Sequence, residues 1–393
     1  MKLSIIVGML VCLFTSITKA TDDWAALQQA AKGQTVYFNA WGGSEATNAY
    51  IAWAASEVHE RYGLTVKQVK VTDTAEIVKR IQTEVAAGRT KDDGSVDLMW
   101  VNGENFKKLK QGKLLFGPWA EQLPNWQYVD LSKPVRVDFS EPTEGLESPW
   151  GTAQLTFIAD KAKTPVPPHS ALELLTFAKA NPGLVTYPKP PDFHGSTFLK
   201  QLLLELTPDP AVLQQPVSAT DFAAVTKPLW AYLDQLHPLL WRQGKAFPAS
   251  VAEMHRMLGD GELKLSLTFN PNEAANLIAT QQLPATAYSF GFTKGTIGNV
   301  HFLAIPINAH AKAGAQVFAN FLLSPEAQAR KADISVWGDS SVLKDKKIPA
   351  ALHIESVNKV PGMLVEKVPT LAEPHASWMG ALETEWLKRY GSH

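Results

Sequence analysis

Residues 95–106 read Ser-Val-Asp-Leu-Met-Trp-Val-Asn-Gly-Glu-Asn-Phe, an apolar run of strand length that passes directly into polar residues. The residues that follow show a short helical pattern, with Phe106 and Leu109 three apart and Gly112 as its stop. The stretch therefore predicts a strand, a polar loop and a helix. Apolar strands of this kind are typical of parallel sheets that are buried on both faces.

Polar residues follow this strand at Asn102, Glu104 and Asn105. Open parallel sheets bind ligands in the crevice beyond the carboxyl ends of their strands, so we expect these three side chains near a ligand. The same arrangement occurs where residues 34–40 lead into Trp-Gly-Gly-Ser and where residues 264–269 lead into Asn-Pro-Asn-Glu. Three such strand ends favour a polar cleft with an aromatic rim.

A simpler interpretation applies to each of these positions. Asn102, Ser44 and Asn270 each stand before a predicted helix, and such residues are ordinarily N-caps. For any one of them the cap is the better interpretation, whereas the three together favour a site.

Strand and helix patterns alternate along the chain, which predicts an α/β fold with a parallel sheet. The Asp-Thr-Ala-Glu sequence at residues 73–76 has the form of a capping box at the start of a helix. Frequent prolines interrupt residues 116–150, and residues 151–159 then read as a strand able to cross between two lobes. A second α/β set follows this crossing.

The amino terminus predicts export. Lys2 precedes an apolar run that is too short to span a bilayer and that ends near Ala20, which is typical of a secretory signal. The only cysteine, Cys12, lies inside that run, so a chain cleaved after about Ala20 has no disulfide and no thiolate nucleophile. We expect a soluble periplasmic protein.

Composition and charge exclude several classes of protein. With 393 residues, 45% of them hydrophobic and 19% charged, the chain is long enough for two lobes with buried cores. Without Lys2 and Lys19, 35 of the 37 basic residues remain against 38 acidic ones, a net charge of −3. Nucleic-acid binding relies on clustered basic residues, so we expect no nucleic-acid partner.

Enzyme motifs are absent. The chain contains no G-x-S-x-G, no H-E-x-x-H, no P-loop and no G-x-G-x-x-G between a strand and a helix. We therefore expect no catalytic residues, no metal and no cofactor. A secreted hydrolase of the glycosidase type stays open as the alternative, because two carboxylates far apart in sequence leave no motif. A structural envelope protein is a more distant one.

The chain resembles extracellular solute-binding proteins of bacterial ABC importers. The stretch that carries this most clearly is Phe-Ala-Asn-Phe-Leu-Leu-Ser-Pro-Glu-Ala-Gln at residues 318–328, beside residues 96–100 and the L-x-x-G-x-L-L pattern at 109–115. The YnjB-like subgroup, placed near thiamine-, polyamine- and iron-type binding proteins, is similar at further stretches. These are residues 41–43, 100–106, 148–151, 190–193 and 336–339.

The resemblance implies a periplasmic-binding-protein-like fold, in which two α/β lobes are joined by a hinge and hold a small molecule in the cleft between them. It also implies an ABC permease as partner, and we expect a monomer. We place residues 21–150 and about 306–335 in lobe 1, and residues 151–305 and about 336–393 in lobe 2, with residues 151–159 and 300–305 as the hinge. Iron is disfavoured, because no two of the eight tyrosines are neighbours in the sequence.

If the strand ends face the cleft, ten residues are candidates for ligand contact. They are Trp41, Asn102, Glu104, Asn105, Trp150, Asp192, Phe193, Thr197, Asn270 and Tyr288. Aromatic faces together with carboxylates suit an organic cation such as a thiamine- or amine-like molecule, because the ring attracts positive charge and a desolvated carboxylate neutralises it.

Most of these candidates also have an interpretation without a ligand. Tryptophans pack in cores more often than they stack on ligands, although Trp41 and Trp150 stand beside glycines in predicted loops. Glu104 could complement the positive end of a helix, and Asp192 could be a turn residue after two prolines. We interpret His194 and His301 as surface and strand residues.

Overall fold

The two largest of three clusters of buried apolar side chains in the described residues divide the chain into two lobes. The computed structural model describes residues 23–350 and 360–391, so the predicted signal sequence lies outside the described residues. The strands are β1 Thr35–Trp41, β2 Thr65–Val71, β3 Leu98–Val101, β4 Val137–Asp138, β5 Glu141–Pro142, β6 Glu147–Gln154, β7 Thr156–Asp160, β8 Leu265–Thr268, β9 Ala287–Phe290, β10 Thr296–Ala304 and β11 Thr370–Leu371.

Helices flank both sheets. They are α1 (residues 23–31), α2 Glu45–Tyr62, α3 Thr74–Ala86, α4 Glu104–Gln111, α5 Ala171–Ala180, α6 Phe193–Leu206, α7 Phe222–Leu236, α8 Val251–Asp260, α9 Glu273–Ala279, α10 Lys312–Leu322, α11 Pro325–Ala332 and α12 Ser377–Tyr390. The apolar sequence Leu-Val-Thr-Tyr at residues 184–187 predicts a strand, but these residues form none. The carbonyls of Leu184 and Val185 nevertheless accept backbone hydrogen bonds from Lys264 and Trp241.

Local signals account for the helix starts around the first sheet. Ser44 caps α2 and accepts a hydrogen bond from the Thr47 N–H at 3.3 Å. The predicted capping box is confirmed, because Asp73 accepts from the start of α3 while the Glu76 side chain accepts the Asp73 N–H. These caps place the loops after β1 and β2 at the carboxyl edge of the sheet.

The first sheet has the strand order β2-β1-β3-β10-β6, with β11 beside the start of β10. We expected a parallel sheet, but β10 runs antiparallel to both β3 and β6. The second sheet, β8-β7-β9, is antiparallel throughout. In the first sheet, β6 leads the chain into the second lobe and β10 leads it back, so these two strands run in opposite directions.

The two lobes are connected by β6 and β10, which pair from Gln154 with Gly298 to Glu147 with Ala304. The chain continues from β6 into β7 of the second sheet after a single residue, Leu155. The predicted crossing strands at residues 151–159 and 300–305 overlap these strands, although β10 begins earlier than expected.

The tail divides between the lobes. Residues 336–393 were placed with the second lobe from the sequence, yet Trp337, Val342 and Leu343 pack in the first core. The last helix, α12, packs in the second core through Trp378 and Trp386. The tail therefore runs back across the molecule and adds α12 to the second lobe.

A candidate ligand-binding cleft between the lobes

Loops at the carboxyl ends of β1, β2 and β3 face the start of α6 in the second lobe. The closest aromatic contact between them joins Trp41 and His194, whose ring centroids lie 6.4 Å apart. Both side chains are partly exposed. The strand ends thus form one wall of a cleft, as expected for an α/β sheet of this kind.

Asp73 lies at this wall, and we did not select it from the sequence as a ligand residue. It caps α3, and its Oδ1 accepts the Ala75 N–H at 2.7 Å. Burial raises the pKa of the Asp73 carboxyl, and the negative charges of Asp192 and Glu104 raise it further. Since Asp192 belongs to the second lobe, carboxylates from both lobes act on one another across the cleft.

Glu104 begins α4 at the same edge. Its Oε1 accepts a hydrogen bond from Lys108 Nζ at 3.1 Å, within the same helix. A methyl group on Gly380 would lie 3.8 Å from Glu104 Oε2, so this carboxylate also faces α12. Glu104 therefore both complements the start of α4, as the alternative interpretation held, and points at the second lobe.

Glu383, on α12, is a fourth carboxyl group in this region and was missed by the sequence reasoning. Ser196 Oγ donates to Glu383 Oε1 at 2.6 Å. Burial raises the pKa of Glu383 to about 7, and the nearby Glu104 raises it while Lys108 and Lys200 lower it. The only sequence signal was the predicted helix itself, because nothing in the pattern links its polar face to residues far away in the chain.

Asp192 and Phe193 lie at the start of α6, as the cleft hypothesis requires. Asp192 accepts the N–H groups of His194 at 2.9 Å and Gly195 at 3.1 Å, so its capping role is also satisfied. Phe193 meets Phe269 edge to face at a centroid distance of 5.3 Å. These two residues directly precede His194, whose ring faces Trp41 across the cleft.

Contacts with Asp138 and Phe139 hold the loop after β3 in position. Gly103 has φ +61° and ψ −127°, a conformation that residues with a Cβ avoid, and its N–H donates to Asp138 Oδ2 at 2.6 Å. A Cβ at this position would lie 2.4 Å from the Phe139 ring. Asp138 and Phe139 thus fix the position of Asn102, which is partly exposed, and of Glu104.

Trp150 does not line the cleft. It is fully buried in the first core, with ring centroids 4.9 Å from Trp100 and 5.3 Å from Trp337. The neighbouring glycine suggested a loop, but the residue lies within β6. Gly151 is required there for packing, because a Cβ would overlap the Asp339 carboxylate at 1.9 Å.

Tyr288 and Asn270 also have other roles. The Tyr288 hydroxyl donates to the Thr164 carbonyl at 2.7 Å, and Tyr288 pairs with Ala159, towards the end of β7 that lies away from the cleft. Asn270 donates through Nδ2 to the Trp337 carbonyl at 3.1 Å and accepts the Asn272 N–H, so it ties the second lobe to the tail.

Two candidates are buried beneath the cleft surface. Thr197 is fully buried and Asn105 is 9% exposed, and neither Thr197 Oγ1 nor Asn105 Oδ1 has a hydrogen-bond partner within the described part of the chain. The alternative interpretation of Asn102 and Asn270 as caps is wrong in detail, because Gly103 caps α4 and Asn272 precedes α9. Of the three, Ser44 alone acts as the predicted cap.

Two shallow depressions elsewhere, of about 320 and 580 Å³, lie at the opposite end of the first sheet. Tyr37 and His310 line both, beside the amino ends of β1 and β3. Ligands of α/β sheets bind at the carboxyl ends, so we do not assign these depressions to the ligand. Within residues 23–350 and 360–391, no group of three or more acidic, histidine or cysteine side chains is placed to hold a metal ion.

In the described part of the chain, no helix is both long enough and apolar enough to span a membrane.

The family of bacterial extracellular solute-binding proteins matches residues 53–346 of this chain. Protein YnjB of Escherichia coli strain K12 is 58% identical over 384 residues, which cover 98% of each chain. This identity extends over both lobes and the tail.

Solved structures show the same fold at low identity. The periplasmic binding protein AfuA of Actinobacillus pleuropneumoniae, solved with fructose-6-phosphate bound, superposes with a TM-score of 0.63 at 14% identity over 91% of this chain and 99% of its own. The spermidine/putrescine-binding protein PotD of Streptococcus pneumoniae gives 0.61 at 13% identity over 91% and 98% of the two chains.

These relatives are transport proteins, and they lend no support to the secreted hydrolase that the sequence left open. They agree with the two-lobe α/β fold, in which a cleft separates lobes joined by a hinge. The chain therefore belongs to the family of bacterial extracellular solute-binding proteins.

Proposed function

We propose that this protein captures a small organic cation, thiamine-like or amine-like, between its two lobes and delivers it to an ABC permease. The observation that carries the proposal is the electrostatic coupling of carboxyl groups across the cleft. Asp192 of the second lobe and Glu104 of the first both raise the pKa of Asp73, and Glu104 raises the pKa of Glu383 of the second lobe. Cations stabilise such a group, whereas an anionic solute would be repelled by it.

The fold alone does not determine whether the ligand is a cation or an anion. One neighbour in structure is named for spermidine and putrescine, and another was solved with fructose-6-phosphate bound. The distribution of charge in this cleft supports a cation. Lys108 is paired with Glu104, and Lys200 is paired with Glu373 at 2.6 Å, and the effect of these two lysines on Glu383 does not outweigh that of burial and Glu104.

Trp41 also favours a cationic ligand. Its ring is partly exposed at the mouth of the cleft, and an aromatic face attracts a cation within about 6 Å of its centre. A ligand that touches Trp41 and Asp73 on one side and Asp192 on the other favours the closed arrangement of the lobes, because only that arrangement offers all contacts at once.

Export and oligomeric state belong to the same proposal. The family is extracellular, and the first residues read as a secretory signal, so we place the mature protein in the periplasm after cleavage near Ala20. We propose that it acts as a monomer, with a small molecule and an inner-membrane permease as partners and without nucleic acid.

Isothermal titration calorimetry on protein purified from the periplasm of an expressing bacterium tests the ligand class. Thiamine and putrescine serve as cationic probes, and fructose-6-phosphate serves as the anionic one. We expect binding of a cation and none of the sugar phosphate. Native mass spectrometry of the same preparation identifies a co-purified small molecule. Binding of the anion alone would refute the proposal.

A pair of variants separates ligand contact from helix capping. Glu104→Gln removes one charge from the cleft, and we expect the affinity for the cation to fall by about 1.5–3 kcal/mol, roughly 10- to 150-fold. Glu45→Gln is the matched control, since Glu45 also begins a helix but is exposed on α2. Equal affinity in the wild type and the Glu104 variant would remove Glu104 from the site.

A further inference from the structure

The last helix of the chain reaches the cleft from outside the two α/β sets. α12 is fixed to the second lobe by two indole groups, since Trp386 Nε1 donates to the Tyr187 hydroxyl at 2.7 Å and Trp378 Nε1 donates to the Gln215 carbonyl at 2.9 Å. Both indoles are fully buried. The helix therefore has one defined position, and so has Glu383 between the two indoles in sequence.

Glu383 faces charged groups from both lobes. From α6 come the Ser196 hydroxyl, at 2.6 Å, and the buried ammonium of Lys200. From α4 of the first lobe comes Glu104, whose Oε2 would lie 3.8 Å from a Cβ on Gly380, three residues before Glu383 on α12. Glu104 and its neighbour Lys108 both act on the Glu383 carboxyl group. Lys108 is paired with Glu104, and Lys200 is paired with Glu373, so among residues 23–350 and 360–391 the negative charge of an ionised Glu383 has no ion-pair partner of its own.

We propose that Glu383 is a ligand-binding residue of the cleft, and that the carboxyl group gives up its proton to water when it takes up the ammonium or other cationic group of the solute. The neutral carboxylic acid and the cation are thereby exchanged for a carboxylate–cation pair and one released proton. The inference rests on the proposed function, since it requires a cationic ligand. It makes the carboxyl-terminal helix a contributor to the binding site from the second lobe, beside the start of α6.

The physical cause is that the cationic group of the ligand replaces the proton on the Glu383 carboxyl group. In the free protein, burial and the neighbouring Glu104 raise the pKa of Glu383 to about 7, so roughly half of the molecules carry the proton at neutral pH. A bound cation favours the ionised form and lowers this pKa. Binding therefore strengthens as the pH rises through 7 and weakens below it, by about tenfold between pH 8 and pH 6.

Calorimetry in two buffers of different ionisation enthalpy, phosphate and Tris at pH 7, counts the released protons. With thiamine and putrescine as probes, we expect about half a proton to leave per cation bound by the wild type. The change in observed enthalpy between buffers gives this number directly, and it needs no variant. A second titration series at pH 6 and pH 8 measures the expected change in affinity.

Glu383→Gln keeps the shape of the side chain and removes its charge. We expect it to abolish proton release and to lower the affinity at pH 8 by about 10- to 150-fold. Glu385→Gln on the same helix is the control, because Glu385 pairs with Arg389 at 2.7 Å and does not face α4. The control variant should release as many protons as the wild type.

The outcomes separate the two proposals. If the wild type binds neither cation, the proposed function fails and this inference fails with it. If the wild type binds a cation without releasing protons, or if the Glu383 variant binds and releases protons as the wild type does, the inference alone is wrong. In that case the organic-cation proposal stands on Asp73, Glu104 and Asp192.

Discussion

Replacing Lys200 with Met should destabilise the protein more than any surface change. Lys200 Nζ lies 2.6 Å from Glu373 Oε2, and both side chains are only 1% exposed. Glu373 Oε1 also accepts a hydrogen bond from Asn299 Nδ2 of β10 at 2.9 Å. Lys200 lies 4.6 Å from the centre of the Phe139 ring of the first lobe. The pair thus joins α6, the tail, the hinge strand and the opposite lobe.

The magnitude follows from this burial. Removing Lys200 leaves Glu373 as an unpaired buried carboxylate, which costs about 3–5 kcal/mol of unfolding free energy. The double variant Lys200→Met/Glu373→Leu removes both charges and leaves only the Asn299 amide without an acceptor, at about 1–3 kcal/mol. The double variant should therefore be more stable than the single one.

Urea unfolding followed by tryptophan fluorescence measures these differences, with Arg389→Met as the control. Arg389 pairs with Glu385 on the surface, at 40% exposure, and such pairs contribute about 1 kcal/mol or less. A loss below 1 kcal/mol for Lys200→Met would contradict the argument. So would a double variant whose loss equals the sum of the two single losses, because the groups would then act independently.

Three further predictions concern the cleft, the core and pH. Trp150→Phe should lower the unfolding free energy by about 1–3 kcal/mol and leave the affinity for the ligand unchanged by calorimetry, because Trp150 packs in the core. Gly103→Ala should weaken ligand binding, since its Cβ would displace Phe139 and move the loop after β3, and a shift in dissociation constant measures this. Burial lowers the pKa of His255 to about 3 and of His237 to about 4. The unfolded chain, with a pKa near 6.5, then binds more protons, so stability should fall as the pH drops from about 6.5 to 4, by up to about 1.4 kcal/mol per unit for each histidine. Urea titrations at several pH values should show a shallower fall in His255→Gln, and an unchanged slope would refute this.

Local sequence was enough for the elements that position the first wall of the cleft. The capping box at Asp73 and the apolar strand before Asn102 are signals of a few residues, and each acts through contacts within that same stretch. The end of α10 before Ser324, which caps α11 ahead of Pro325, depends on equally local signals. These features need no knowledge of what packs against them.

The antiparallel β10 and the burial of Trp150 needed the tertiary structure. Gly151 beside Trp150 suggested a loop, because glycine is common in turns. In the sequence, a glycine needed for a turn looks the same as one needed for close packing. In the fold, residue 151 lies in a strand against His301 and Asp339, where a larger side chain does not fit. Strand direction likewise depends on where the chain returns, and the apolar pattern of a strand is the same in both directions.

The sequence by itself predicted an α/β chain with two lobes and an acidic and aromatic set of strand ends, and it contains none of the enzyme motifs considered above. Only the tertiary structure determined which polar and acidic side chains lie close together at the cleft. Ser196 and Glu383 are separated by 187 positions in the chain and by 2.6 Å in the fold. The reason is physical: secondary structure is encoded by neighbours in sequence, whereas the charge of a cleft is a sum over groups that come together only when separate elements pack.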